Sequence, residues 1–214
     1  MYVPKHFEQP SVETMHELIR TRPLATLVTT SSTGLNANHI PLHLSEVPGP
    51  FGTLRGHVAR ANPAAMDFTG QAEALAVFHG PDAYISPSWY PTKHETGKVV
   101  PTWNYVVVHA YGVPKPVEDR TWLRGHLEAL TTHNEAAFPK PSTVADAPEE
   151  HIERLLGGIV GVEIVITRLV GKWKVSQNQP PRNQAGVTTG LRSRDSADAL
   201  AVAELAERAA NNPR

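Results

Sequence analysis

Apolar and polar positions along the chain fall into short β-rich runs separated by proline- and glycine-marked breaks. "LATLVTT" (Leu24–Thr30) is the first run, "SSTG" (Ser31–Gly34) has turn chemistry, and "LNANHIPLHL" follows as a second strand, so the pattern predicts a hairpin. "VPGPFG" (Val47–Gly52) interrupts the pattern. "TLRGHVARANP" predicts a strand running into a loop, with Asn62 placed to cap a helix over Pro63–Phe68. "EALAVFHGP" (Glu73–Pro81) reads as a strand ended by Gly-Pro, and "DAYISPSWYPTKHETGK" as a polar, proline-broken loop. "VVPTWNYVVVHAYG" (Val99–Gly112) and "IVGVEIVITRLVG" (Ile159–Gly171) complete the strand-like set.

Helical spacing marks four segments. Ser11–Thr21 places Val12, Met15, Leu18 and Ile19 on one face, and Asp119–Asn134 does the same with Trp122, Leu123, His126, Leu127 and Leu130. Ala147–Gly158 carries acids in its first turn and glycines at its end. An alanine-rich segment, "SRDSADALAVAELAERAA", follows a Gly/Thr/Arg linker near the C-terminus. Six or so strands with tight turns, not alternating with helices, predict a mainly β, α+β protein: an antiparallel barrel with helices outside it.

At 214 residues, with 40% hydrophobic and 19% charged positions, the chain can bury a sizeable core. Its formal net charge of −1 gives no general electrostatic reason to bind nucleic acid or an anionic membrane. The absence of cysteine removes disulfides and thiolate chemistry. No apolar run has the length of a membrane span, and "MYVPKHFEQP" lacks the apolar core of a signal peptide, so a cytoplasmic protein is the expectation.

Candidate chemistry gathers at few places. His39 and His43, four apart on a strand, stand roughly 13 Å apart by strand rise, too far to share a metal. With no HExxH either, no metal site is expected; the alternative is one assembled by the fold from His39, His57 and His109, and hydrogen-bonded histidines are the simpler reading. Ser86 and Ser88 in "YISPSWY" do not form a GxSxG elbow. In "GHVARAN", Arg60 and Asn62 end a strand where side chains and free N–H groups converge on an anion, against the plainer reading that Arg60 pairs with a surface carboxylate. "KWKVSQN" presents Lys174, Ser176, Gln177 and Asn178 at another strand end. Tyr84, Trp89, Tyr90, Trp103 and Tyr105 form either a barrel core with a lid or the wall of a pocket for a flat heterocycle. From the residues alone the result is a ligand-binding β-barrel.

The ordered series "MYVPKHF", "HIPLHL", "GHVARANP", "FHGPDAYISPSWY", "VPTWNYVVVHAYG" and "KWKVSQNQ" resembles the PaiB family of FMN-binding negative transcriptional regulators. The resemblance covers residues 1–183 and leaves 184–214 as linker and helical tail. It implies a split antiparallel β-barrel, FMN as cofactor and a homodimer. By motif position it places His39, Ile40 and Pro41 along the flavin ring, with His57 nearby, and Arg60 and Asn62 at the phosphate. Ser86, Trp89, Thr102, Trp103 and Asn104 line the pocket, and Lys174, Ser176, Gln177 and Asn178 close it. DNA binding follows from the resemblance only, since no helix-turn-helix pattern or basic patch is present. The alternatives are an FMN-dependent oxidoreductase, with His57, His109 or Tyr105 supplying protons, and a haem protein on the same barrel.

Overall fold

The computed structural model describes residues 1–31 and 34–211; the tip of the expected Ser31–Gly34 turn and the last three tail positions lie outside them. In chain order the elements are β1 (Glu8–Gln9), α1 (Val12–Thr21), β2 (Leu24–Ser31), β3 (Gly34–Pro41), β4 (His43–Ser45), β5 (Thr53–Ala59) and β6 (Ala74–Ile85). Then come α2 (Thr92–Thr96), β7 (Thr102–Gly112), β8 (Pro114–Val117), α3 (Arg120–Glu135), α4 (Glu149–Gly157), β9 (Ile159–Val165), β10 (Arg168–Lys174), α5 (Pro181–Arg192) and α6 (Ala197–Asn211). One sheet has the order β1-β10-β7-β6-β2-β3 and the other β4-β5-β9-β8. The pairings β1–β10, β2–β3, β2–β6, β4–β5, β5–β9 and β8–β9 are all antiparallel. This is the mainly β architecture with flanking helices that the pattern predicts.

Two expected strands are each divided. "LNANHIPLHL" becomes β3 and β4, and "IVGVEIVITRLVG" becomes β9 and β10, the parts of each lying in different sheets. At the first break Pro41 brings no N–H to continue a ladder, and the amide of the fully buried Leu42 donates to Pro23 O at 2.9 Å. The strand expected to stop at Gly80-Pro81 instead runs on to Ile85, and the loop expected after it contains a short 3₁₀ turn and α2.

The chain forms two compact units. One comprises residues 19–78 and 110–169. Its hairpin β2–β3 is in register from Leu24↔Pro41 to Ser31↔Gly34, and Asn62 caps the 3₁₀ turn Pro63–Asp67 as expected. Leu54, Val162 and Ile164 are buried in its four-stranded sheet, and Leu123 of α3 packs with Ile152 and Leu156 of α4.

The other unit comprises residues 1–18, 79–109 and 170–214. Here Val187 and Leu191 of α5 and Val202 and Ala203 of α6 enclose Ala83, Ile85 and Tyr90. The stretch read as a Gly/Thr/Arg linker is helical, and its glycines have a packing cause. A Cβ on Gly190 would stand 2.2 Å from Trp89 Cδ2, and one on Gly186 2.0 Å from Trp89 O. Bare backbone at both positions lets α5 close over Trp89.

Candidate functional site

Strand period two gives β7 two different faces. Asn104, Val106, Val108 and Ala110 point inward and are at most 2% exposed. Trp103, Tyr105, Val107 and His109 point the other way and, with His79 of β6, wall a predominantly apolar groove of about 580 Å³. Trp103 is 54% exposed, a large penalty for an indole unless something covers it. Tyr84 meets its ring edge-to-face at 5.9 Å between centroids.

The polar members of this unit sort into anchors and core. Lys174 Nζ donates to Thr102 Oγ1 at 2.5 Å and to Trp103 O at 2.6 Å, which fixes the strand end that carries the indole. Burial, and then repulsion from Lys172, push the Lys174 ammonium below its ordinary value. Lys172 is itself buried; its Nζ donates to Tyr2 O at 3.2 Å and stands 5.1 Å over the Tyr105 ring. Asn104 Nδ2 donates to Ser176 Oγ at 2.9 Å, and Ser176 also bonds Tyr90, whose hydroxyl burial holds above its ordinary value. Ser176 has a φ of +66°, a left-handed conformation unusual for serine and held here by its buried partners. Asn104 and Ser176, two expected pocket residues, are thus placed in the core. Gln177 bonds Val175 N and Trp173 O, and Asn178 is exposed in the same turn. Ser86 caps the 3₁₀ turn Pro87–Trp89, whose Trp89 is held by α5 rather than by the groove.

The remaining expected residues lie in the other unit. His39 is exposed on β3, its Nδ1 3.1 Å from Thr26 Oγ1; Ile40 is in the core, and Pro41 is exposed at the strand break. Arg60 donates to Gly157 O, Ile159 O and Glu118, each at 3.1–3.2 Å, so two of its N–H groups brace the α4–β9 junction and a third pairs with the β8–α3 turn. Asn62 Nδ2 donates to Asn38 Oδ1 at 3.1 Å, which leaves Asn38 Nδ2 a buried donor with no acceptor among the described residues. A buried donor of this kind calls for an acceptor, from a water or a ligand, and the sequence reading passed over Asn38. His57 Nδ1 lies 3.1 Å from His126 Nε2, so His57 is engaged within its own unit. No group of three or more metal-ligating side chains occurs among the described residues, and no helix there is long and apolar enough to cross a membrane.

The groove suits a flavin in one respect: it offers an apolar wall with exposed aromatic rings for the tricyclic system. Comparison with known proteins agrees. Residues 1–168 match the family described as "Putative FMN-binding domain". An uncharacterised protein of Emericella nidulans is 35% identical over 89% of this chain and 90% of its own length. The protease synthase and sporulation protein PAI 2 of Bacillus subtilis is 31% identical over 97% of both chains. The FAD and heme binding protein of Mycobacterium smegmatis superposes with a TM-score of 0.55 at 18% identity, covering 78% of this chain and 73% of its own, which supports the split-barrel fold. By the family match and by its likeness to PAI 2 over nearly the whole chain, this protein belongs to the PaiB family of FMN-binding proteins.

Proposed function

We propose that the protein is an FMN-dependent redox protein whose flavin ring lies in the groove of β6 and β7. The observation that carries this reading is the outward face of β7, where Trp103 and Tyr105 stand beside Val107 and His109 over about 580 Å³. That volume lies within the range of roughly 300–1,000 Å³ usual for cofactor sites. When bound, FMN supplies two-electron redox chemistry. The chain's part is to stack the ring on Trp103, exclude water with Val107, and hold that edge of the groove rigid through the Lys174–Thr102 anchor. Among the groove side chains, the imidazoles of His79 and His109 can move a proton, beside Tyr105 and Asp82.

The regulatory role suggested by the PaiB family fits best as a readout of flavin state passed to a partner, not as direct DNA contact. Arg120, Arg124, Arg168, Arg182 and Arg192 each spend their charge on a glutamate of this chain, which leaves these side chains little to offer phosphates. A homodimer would cover the exposed edge strand β3, where Leu35 is 81% exposed.

Titration of flavin-free protein with FMN tests the reading. Trp103→Ala is expected to weaken binding at least tenfold, consistent with loss of ~1–3 kcal/mol of stacking. Unchanged affinity in a folded variant would remove the flavin from this groove.

A further inference from the structure

A second cavity of about 230 Å³ adjoins the groove in the same unit and shares Asp82 and Trp103 with it. Its walls are Asp82 and Tyr84 of β6, Trp103 of β7, Arg194 and Ser196 of the α5–α6 turn, and Asp198 in the first turn of α6. Small side chains, Ala83 and Ala199, floor it.

We propose that this cavity binds a small zwitterion, its carboxylate on Arg194 and its ammonium on Asp82. Neighbouring arginines of this unit close on carboxylates: Arg182 grips both oxygens of Glu95 at 2.6 and 2.7 Å, and Arg192 both of Glu207 at 3.0 and 2.8 Å. Arg194 makes no such pair among the described residues, although Asp82 and Asp198 line the same cavity. Separated opposite charges facing one space are what a ligand carrying both signs bridges. The guanidinium fork takes a carboxylate in bidentate fashion. Tyr84 and Trp103 put aromatic rings in the same lining, and such rings attract an ammonium group. The volume falls below the ~300 Å³ at which drug-sized sites begin, so the occupant has the size of a single amino acid. That the occupant borders the flavin rests on the reading above; its binding does not.

Calorimetric titration with L-leucine, N-acetyl-leucine, leucinamide and inorganic phosphate, on flavin-free and FMN-loaded protein, tests the pocket. Leucine is expected to bind saturably, and the two blocked forms and phosphate at least tenfold more weakly. Arg194→Gln should erase the preference for leucine over leucinamide while FMN affinity stays unchanged, and Asp82→Asn the preference over N-acetyl-leucine. Absence of saturable leucine binding, or an Arg194→Gln protein that keeps its preference for the carboxylate, overturns the proposal. Leucine binding in a protein that ignores FMN would sustain the pocket and sink the groove assignment; FMN binding without leucine binding would do the reverse.

Discussion

His126 on α3 is 4% exposed, stacked on Trp122 and paired with His57. Its Nδ1 has no partner among the described residues. The less costly tautomer keeps the proton on Nε2, which donates to His57 Nδ1, because a buried acceptor without a partner is tolerated better than a buried N–H. Burial first, then the nearby His57, His43 and Arg55, push its pKa down to about 4, and burial lowers His57 as well. A group whose folded pKa lies below its unfolded value near 6.5 favours the folded state fully above that value. The contribution is lost as pH falls from about 6.5 to about 4, and stability stops changing from this cause below that. For His126 alone the loss is on the order of 3 kcal/mol. Urea midpoints at pH 7.5 and 4.5 should therefore differ in the natural protein and converge in His126→Phe; a parallel shift in both would assign the acid sensitivity elsewhere. Helical spacing places Trp122 and His126 on one face, so half of this pair is legible in the sequence. Its partner His57 comes from β5, 69 positions away, and no local pattern announces it. Arg60 teaches the same lesson in reverse: the motif suggests an anion, and the fold supplies three acceptors of its own.

Strands and helices were legible wherever one face alone is buried, and boundaries failed where the chain changes sheet. β2, with Ala25, Leu27 and Thr29 buried, alternates cleanly and was read correctly. β9 and β10 read as one strand because Ile166, wholly buried between them, keeps the apolar run unbroken through the bend. The α5 segment failed for another reason: glycine chosen for close approach looks in composition like glycine chosen for flexibility. A substitution separates the two. Gly190→Ala adds helix propensity worth up to ~1 kcal/mol, yet it drives a methyl group into the Trp89 ring. Net destabilisation of about 1–3 kcal/mol is expected, with a shift in tryptophan emission as Trp89 is displaced. A stabilised variant with unaltered emission would mean that the helix lies free of that ring.

For the whole molecule, the family match ends at residue 168, while the described chain continues through β10, α5 and α6. Val187, Leu191 and Val202 of this extension are fully buried. Truncation after Asn183 should therefore expose Ile85 and Tyr90, bind a hydrophobic dye and lower the melting temperature. A truncated protein that unfolds like the full chain would show the helices to be an appendage. Such an extension also explains the uneven legibility of the site. Residues within the family motifs could be carried over by position, whereas Arg194 and Ser196 lie in a segment with no motif to read.

The two faces of β7 bear finally on how this protein can change. Substitution at Trp103, Tyr105 or His109 alters what the groove accepts and spares the buried face, so ligand preference can drift one codon at a time; Val107, 5% exposed, is held by the core as well. Loss or gain of a single codon immediately ahead of Trp103 is another matter. It would turn Trp103 inward and bring Asn104 out, exchanging wall for core along the remainder of the strand. Variation in this strand is therefore expected as replacements, with its length held fixed.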